Sequence, residues 1–177
     1  MDFIKVGSAC PKTKVADVIF NVENICSCID DAYNKDVKFL VFPELSITSY
    51  TCADLFLAST LINKSIEGIK LVCENSINKD MLIVVGCPLI HNNVLYNTAF
   101  IIFEGKILGI VPKSYIPNYS EFYEKRWFTA AAMLTDELVT LPFQENIPFG
   151  TNLIFADGDY KFGIEICEDL WVAIPPS

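Results

Sequence analysis

Residues 81–111 read MLIVVGCPLIHNNVLYNTAFIIFEGKILGIV, and this stretch decides the fold. Residues 81–86 form a continuous apolar run, the pattern of a buried strand. Residues 94–103 and 106–111 are two more such runs. They flank Glu104-Gly105, an acidic residue plus glycine that suits a tight hairpin turn. Three strands in succession put a sheet at the centre of the chain.

Working outward, residues 15–34 place apolar side chains at 18, 22, 25, 29 and 32, and residues 61–79 place them at 62, 66, 69, 73 and 77. Both spacings of three and four describe one face of a helix. Residues 3–9 read as a short buried strand, and residues 38–42 as another, ended by Pro43. Residues 112–150 are long and turn-rich. Residues 153–156 and 160–166 then predict a second hairpin around Asp157-Gly158-Asp159. The order strand, helix, strand, helix, strand, hairpins predicts an α/β layered fold with helices against a mixed sheet. There is no repeat, low-complexity tract or linker, so residues 1–177 read as one domain. The chain stops at Ala173-Ile174-Pro175-Pro176-Ser177, directly after a strand and a turn, which predicts a domain cut short at its C-terminus.

The 177 residues are 52% hydrophobic and 20% charged, enough apolar material for one packed core. A formal charge of −9 with no basic stripe argues against nucleic acid and anionic membranes as partners. No run approaches the roughly 20 apolar residues that a membrane span requires, and residues 1–5 lack the order of a signal peptide. Seven cysteines, an odd and scattered set, read as reduced thiols of a cytoplasmic protein. Cys26-Ser27-Cys28 is too tight for a zinc knuckle and has no second ligand pair, so no metal is expected.

Three reactive residues sit at strand ends: Glu44 and Lys113 each follow a strand, and Cys167 ends the last one. Strand ends of an α/β sheet gather at a common edge, where loops can bring reactive groups together. Cleaving a carboxamide requires a nucleophile, a proton carrier and oxyanion stabilisation. Cys167 attacks only as a thiolate, and Glu165, Glu168 and Asp169 beside it in sequence oppose that by like-charge repulsion. A cation from elsewhere is needed, and Lys113 can supply it. The single histidine, His91, lies in a polar His-Asn-Asn turn and reads as a turn residue. A histidine-free scheme has Glu44 as proton carrier and Lys113 as oxyanion stabiliser. Taken singly, each has a plain reading: a capped strand end, a solvated surface charge and a buried strand cysteine.

The surrounding motifs resemble a known family. Phe42-Pro43-Glu44-Leu45, Pro112-Lys113 and residues 165–171 (EICEDLW) are similar, in order, to the Glu, Lys and Cys motifs of the nitrilase (carbon–nitrogen hydrolase) superfamily. Residues 49–56 (SYTCADLF), 113–119 (KSYIPNY), 121–128 (EFYEKRWF) and 171–177 (WVAIPPS) are closer still to one branch, the glutamine-hydrolysing domains of glutamine-dependent NAD⁺ synthetases. Ser49 and Ala173 depart mildly from that pattern, where glycine and proline are usual. The resemblance implies a nitrilase-like α-β-β-α sandwich, here incomplete at its C-terminal end, with two protomers packing their helical layers in a homo-oligomer.

It further implies Glu44 as general base, Lys113 as oxyanion stabiliser, Cys167 as nucleophile and Glu124 as a second carboxylate supporting the lysine. Tyr119, Glu168 and Trp171 would contact L-glutamine. Hydrolysis would need no cofactor, whereas the ATP and Mg²⁺ of NAD⁺ synthesis would belong to a synthetase domain. No Ser-Gly-Gly-x-Asp-Ser phosphate loop for such a domain occurs in residues 1–177. A free-standing amidase and an inactive structural fragment are the alternatives.

Overall fold

The computed structural model describes residues 3–135 and 137–176. Along the chain run β1 (Val6–Ser8), α1 (Val18–Tyr33), β2 (Phe39–Val41), α2 (Ser59–Ser76), β3 (Leu82–His91), β4 (Val94–Phe103) and β5 (Lys106–Pro112). Then come β6 (Glu137–Leu141), β7 (Gln144–Phe149), β8 (Phe155–Asp157) and β9 (Tyr160–Phe162). Short 3₁₀ turns cover Ala53–Leu57, Glu124–Arg126 and Cys167–Leu170.

Both helices form where the spacing predicts. Asp17 caps α1 by accepting from the Phe20 amide at 3.2 Å, satisfying one of the free N–H groups of the first turn. Val18, Val22, Ile25, Ile29 and Ala32 are its buried stripe. Helix α2 buries Leu61, Ile62, Ile69, Val72 and Cys73 and packs on α1. Position 77 falls beyond its end, and Ile77 is exposed.

The larger sheet has the order β1-β2-β3-β4-β5-β7-β6. Strands β1, β2 and β3 are parallel, β3, β4 and β5 alternate antiparallel, and β7 joins β5 in parallel through Ile110 and Phe149. Successive side chains of a strand point to opposite faces. Ile83, Val85, Cys87, Phe100 and Ile102 accordingly join the core under the helices. Val84, Ala99, Ile101 and Val111 instead meet Phe155 and Ile166, with Phe39, Leu153 and Phe162 packed around them. Strands β8 and β9 form their own antiparallel pair on that second face. The described residues thus supply a helical layer and two sheet layers, the mixed α/β arrangement of a nitrilase-like sandwich.

Four details differ from the sequence expectations. β1 is an edge strand with Val6 exposed, because its partner lies on one side only. β3 runs on to His91, since its hairpin with β4 extends to the tip. The turn-rich stretch contains the β6–β7 hairpin, whose second strand opens on the polar run Gln144, Glu145 and Asn146 and carries Pro148, so it lacks a clean alternation. Cys167 does not end a strand: β9 stops at Phe162, and Cys167 opens a 3₁₀ turn.

The topology places the site. Strand β4 reverses from β3, and β5 reverses again, so β5 runs the same way as β2. Residues following β2 and β5 therefore emerge at one sheet edge, beside the first half of β4.

Candidate active site

Glu44 lies just past β2, where the chain turns sharply: Leu45 has φ +53° and Ser49 φ +71°, left-handed values that non-glycine residues rarely adopt. The turn is wedged against β3 at Gly86. A Cβ built there would stand 2.2 Å from the Leu45 nitrogen and 2.8 Å from the Glu44 carbonyl carbon. Only glycine admits that approach, so the position of the Glu44 backbone is set by the absence of a side chain on the neighbouring strand.

Lys113 follows β5, and its amide donates to the Asn97 carbonyl at 2.8 Å. Its side chain is fully buried, at 0% exposure. The ammonium donates to Glu44 Oε1 at 2.7 Å and to Glu124 at 2.9 Å (Oε2) and 3.1 Å (Oε1). Burial alone would lower the lysine, but the Glu44 and Glu124 carboxylates outweigh it and hold it above the ordinary value. Lys113 is therefore a fixed cation, and the solvated-charge reading fails. Glu124 is buried too, anchored by the Tyr50 hydroxyl, which donates to its Oε1 at 2.6 Å. Asn97, on β4, donates its side-chain amide to Glu44 Oε1 at 2.5 Å.

Cys167 is exposed, so the buried-strand reading fails as well. Its φ of +52° holds the sulfur on a strained turn, a conformation that clusters at functional sites. Glu44 and Cys167 lie in the wall of the same cleft, where the carboxylate charge acts on the thiol. Partial desolvation of the sulfur in the cleft pushes the thiol up, Glu44 and Glu124 push it further, and Lys113 pulls it down, for a net rise. The repelling carboxylates are those of the buried cluster, not the sequence neighbours.

Those neighbours point elsewhere. Asp169 is 1% exposed and accepts from the amides of Ile166 (3.1 Å), Ser114 (3.2 Å) and Tyr115 (2.8 Å). One carboxylate thus ties the cysteine turn to the residues just after Lys113. Glu168 accepts from the Tyr119 hydroxyl at 2.8 Å, joining two sequence-predicted substrate contacts at the surface. Trp171 is 76% exposed and stands apart from the cluster. His91 pairs with Glu137 at 2.5 Å, far in sequence from the cluster and outside its hydrogen bonds.

The loops that carry Tyr50 and Glu124 are clamped a second time. Arg126 holds Asp54 through both carboxylate oxygens, at 2.6 and 2.8 Å, and Trp127 adds an indole N–H at 2.9 Å. These donors, the arginine first, lower the Asp54 carboxyl strongly. A cleft of about 270 Å³ opens between the outer face of β2–β4 and residues 163–167, with Glu44 and Cys167 in its wall beside Val41, Val84 and Ala99.

The structure therefore brings Glu44, Lys113, Glu124 and Cys167 together, with Tyr119 and Glu168 hydrogen-bonded to each other at the surface. Sequence reasoning missed Asn97, Gly86 and the anchoring parts of Tyr50 and Asp169. Asn97 carried a signal: a polar residue within the apolar run of β4. Among the described residues, no group of three or more His, Cys, Asp and Glu has the arrangement of a metal site.

Residues 5–173 match the carbon–nitrogen hydrolase family. The glutamine-dependent NAD(+) synthetase of Mycobacterium tuberculosis is 33% identical over 179 residues, which is 99% of this chain and 26% of that protein. The human protein of the same name is 33% identical over 164 residues, 88% of this chain and 23% of its own length. The chain thus spans about a quarter of these curated relatives. Among solved structures, a glutamine-dependent NAD(+) synthetase from Cytophaga hutchinsonii superposes with a TM-score of 0.83 at 31% identity. That match covers 93% of this chain and 28% of the other. An amidase from Nesterenkonia reaches 0.68 at 14% identity over 92% of this chain and 57% of the other, a likeness of fold alone. With residues 5–173 matched, and the sheet laid out as in these structures, the chain belongs to the carbon–nitrogen hydrolase family.

Proposed function

We propose that this chain hydrolyses L-glutamine to glutamate and ammonia, and that the ammonia feeds ATP-dependent NAD⁺ synthesis on a synthetase domain of the same protein. The observation that carries the reading is a wholly buried ammonium, Lys113, shared by Glu44 and Glu124, with Glu44 and the exposed Cys167 thiol in the wall of one cleft. The names of the relatives supply the substrate.

In this scheme the raised thiol stays protonated at rest, so attack needs a proton acceptor at hand. Glu44 takes the S–H proton as Cys167 bonds to the carboxamide carbon. The negative charge reaching the carbonyl oxygen is stabilised by the field of the Lys113 ammonium, which burial keeps strong. The C–N bond then breaks, and Glu44 passes its proton to the departing nitrogen, releasing ammonia and leaving a thioester. Water attacks the thioester while Glu44 accepts its proton. The thiolate leaves and is reprotonated, and glutamate departs. No cofactor enters these steps, and ATP and Mg²⁺ are assigned to the synthetase.

Tyr119 and Glu168 are proposed as glutamine contacts at the rim, with Trp171 as an outer wall. Ile19 and Leu71, exposed on α1 and α2, suit a homo-oligomer packed through its helices. A reducing cytoplasm suits the free cysteines, and no helix among the described residues is long and apolar enough to cross a membrane.

The test is ammonia release from glutamine, and from simple aliphatic amides, by the protein and its Cys167→Ala variant. Release from glutamine that disappears in the variant is expected. Equal rates in both proteins would overturn the mechanism, and a preference for the simple amides would favour a free-standing amidase.

A further inference from the structure

Glu44 has two carboxylate oxygens, and the proposed chemistry asks one group both to stay put and to shuttle a proton. Two donors converge on a single oxygen: Asn97 Nδ2 at 2.5 Å and Lys113 Nζ at 2.7 Å, both on Oε1. A carboxylate oxygen holding two donors has little capacity left for a third.

Asn97 itself is 1% exposed. Among the described residues, its own Oδ1 is buried and has no hydrogen-bond partner. A core asparagine kept for stability pairs both ends of its amide, because a buried orphan carbonyl is costly. Among the described residues its side-chain hydrogen bond is the one to the reactive carboxylate. Asn97 is also fixed by its backbone, whose carbonyl accepts from the Lys113 amide at 2.8 Å. The strand that carries Asn97 thus registers the amide against the base and against the cation in one stroke.

We infer that Asn97 is a positioning residue that sorts the oxygens of Glu44, holding Oε1 with Lys113 so that Oε2 is the one presented to the Cys167 thiol. The inference rests on the proton-carrier reading of Glu44. In Asn97→Leu the shape is nearly kept and the donor is lost, so the carboxylate can swing about its remaining contact with Lys113. Proton transfer in acylation then slows.

Misplacing a catalytic group by about 1 Å costs on the order of 100-fold in rate. The kcat for glutamine hydrolysis is therefore expected to drop by about that factor, with KM for glutamine almost unchanged. The solvent deuterium isotope effect on kcat should rise as proton transfer becomes rate-limiting. A merely structural asparagine would instead raise KM or lower Tm and leave the isotope effect alone. Asn97→Ser, which keeps a hydroxyl donor, should lose less activity and serves as the readout where the leucine variant does not fold.

A crystal structure of the variant gives a readout independent of activity. The Glu44 carboxylate should be rotated away from the Cys167 sulfur. An unmoved Glu44, or unchanged kcat and isotope effect beside an active parent protein, would overturn the inference. A parent protein that releases no ammonia from glutamine would overturn the proposed function instead, leaving the crystallographic outcome to decide the role of Asn97.

Discussion

Replacing Lys113 with methionine removes the cation that two carboxylates share while keeping most of the side-chain volume. Glu44 and Glu124 then face one another across an apolar thioether, within what were 2.7 and 2.9 Å contacts to the ammonium. Removing one partner of a buried ion pair costs about 3–5 kcal/mol, because the remaining charge stays desolvated. For a chain of this length each kcal/mol moves Tm by about 2–4 °C, so unfolding should fall by roughly 6–20 °C at neutral pH. The pH dependence has a definite sign. Lys113 is raised above its ordinary 10.5 in the folded protein, so its contribution is fully present below that value and is lost as pH rises through the folded one. On the alkaline side the gap between the two proteins should therefore hold up to that value and close as pH rises through the folded one. Thermal unfolding by circular dichroism across that range, with ammonia release measured in parallel, checks both parts. A variant that melts with the parent protein and still turns over glutamine would refute the argument that Lys113 holds the cluster together.

Glu44→Gln removes a charge that raises the Cys167 thiol, so the pH midpoint for alkylation of that thiol should shift down. Ammonia release should nevertheless fall by about 10²–10⁴-fold, the usual worth of a general base; parallel changes in the two readouts would contradict the assignment. Gly86→Ala drives a methyl to within 2.2 Å of the Leu45 nitrogen. Because the obstacle is backbone, the cost should reach or exceed about 1–3 kcal/mol, and activity should fall with the displaced Glu44. Calorimetry and the ammonia assay report both, and a neutral alanine would show that the turn after β2 is softer than its contacts imply.

Much of the fold and of the site is legible in the sequence. Periodicity located both helical faces, and the apolar runs located β2 to β5, because buried elements are constrained on every side. Glu44 and Lys113 are legible as residues that follow strands, and the fold brings β2 and β5 into the same direction. β1 differs from the expectation of a buried strand because a run as short as Val6-Gly7-Ser8 does not tell a covered position from a sheet edge. The β6–β7 hairpin was missed because Gln144, Glu145 and Asn146 mask its short alternation. Asp169 was read as repelling the thiol, since sequence adjacency says nothing of direction. In the fold it turns inward onto three backbone amides. Gly86 and Asn97 act on Glu44 from other strands, a relation that appears only when β2, β3 and β4 lie side by side. Long-range register is what a single sequence leaves unwritten.

Covalent catalysis here requires Cys167 to form a bond to the substrate. The protein, acid-quenched during turnover with glutamine, can be digested and its cysteine peptides weighed by mass spectrometry. A glutamyl group attached at Cys167, and at none of the six other cysteines of the seven in the chain, is the predicted result. Ammonia released with no acyl adduct at any cysteine, or with the adduct on a different one, would contradict it.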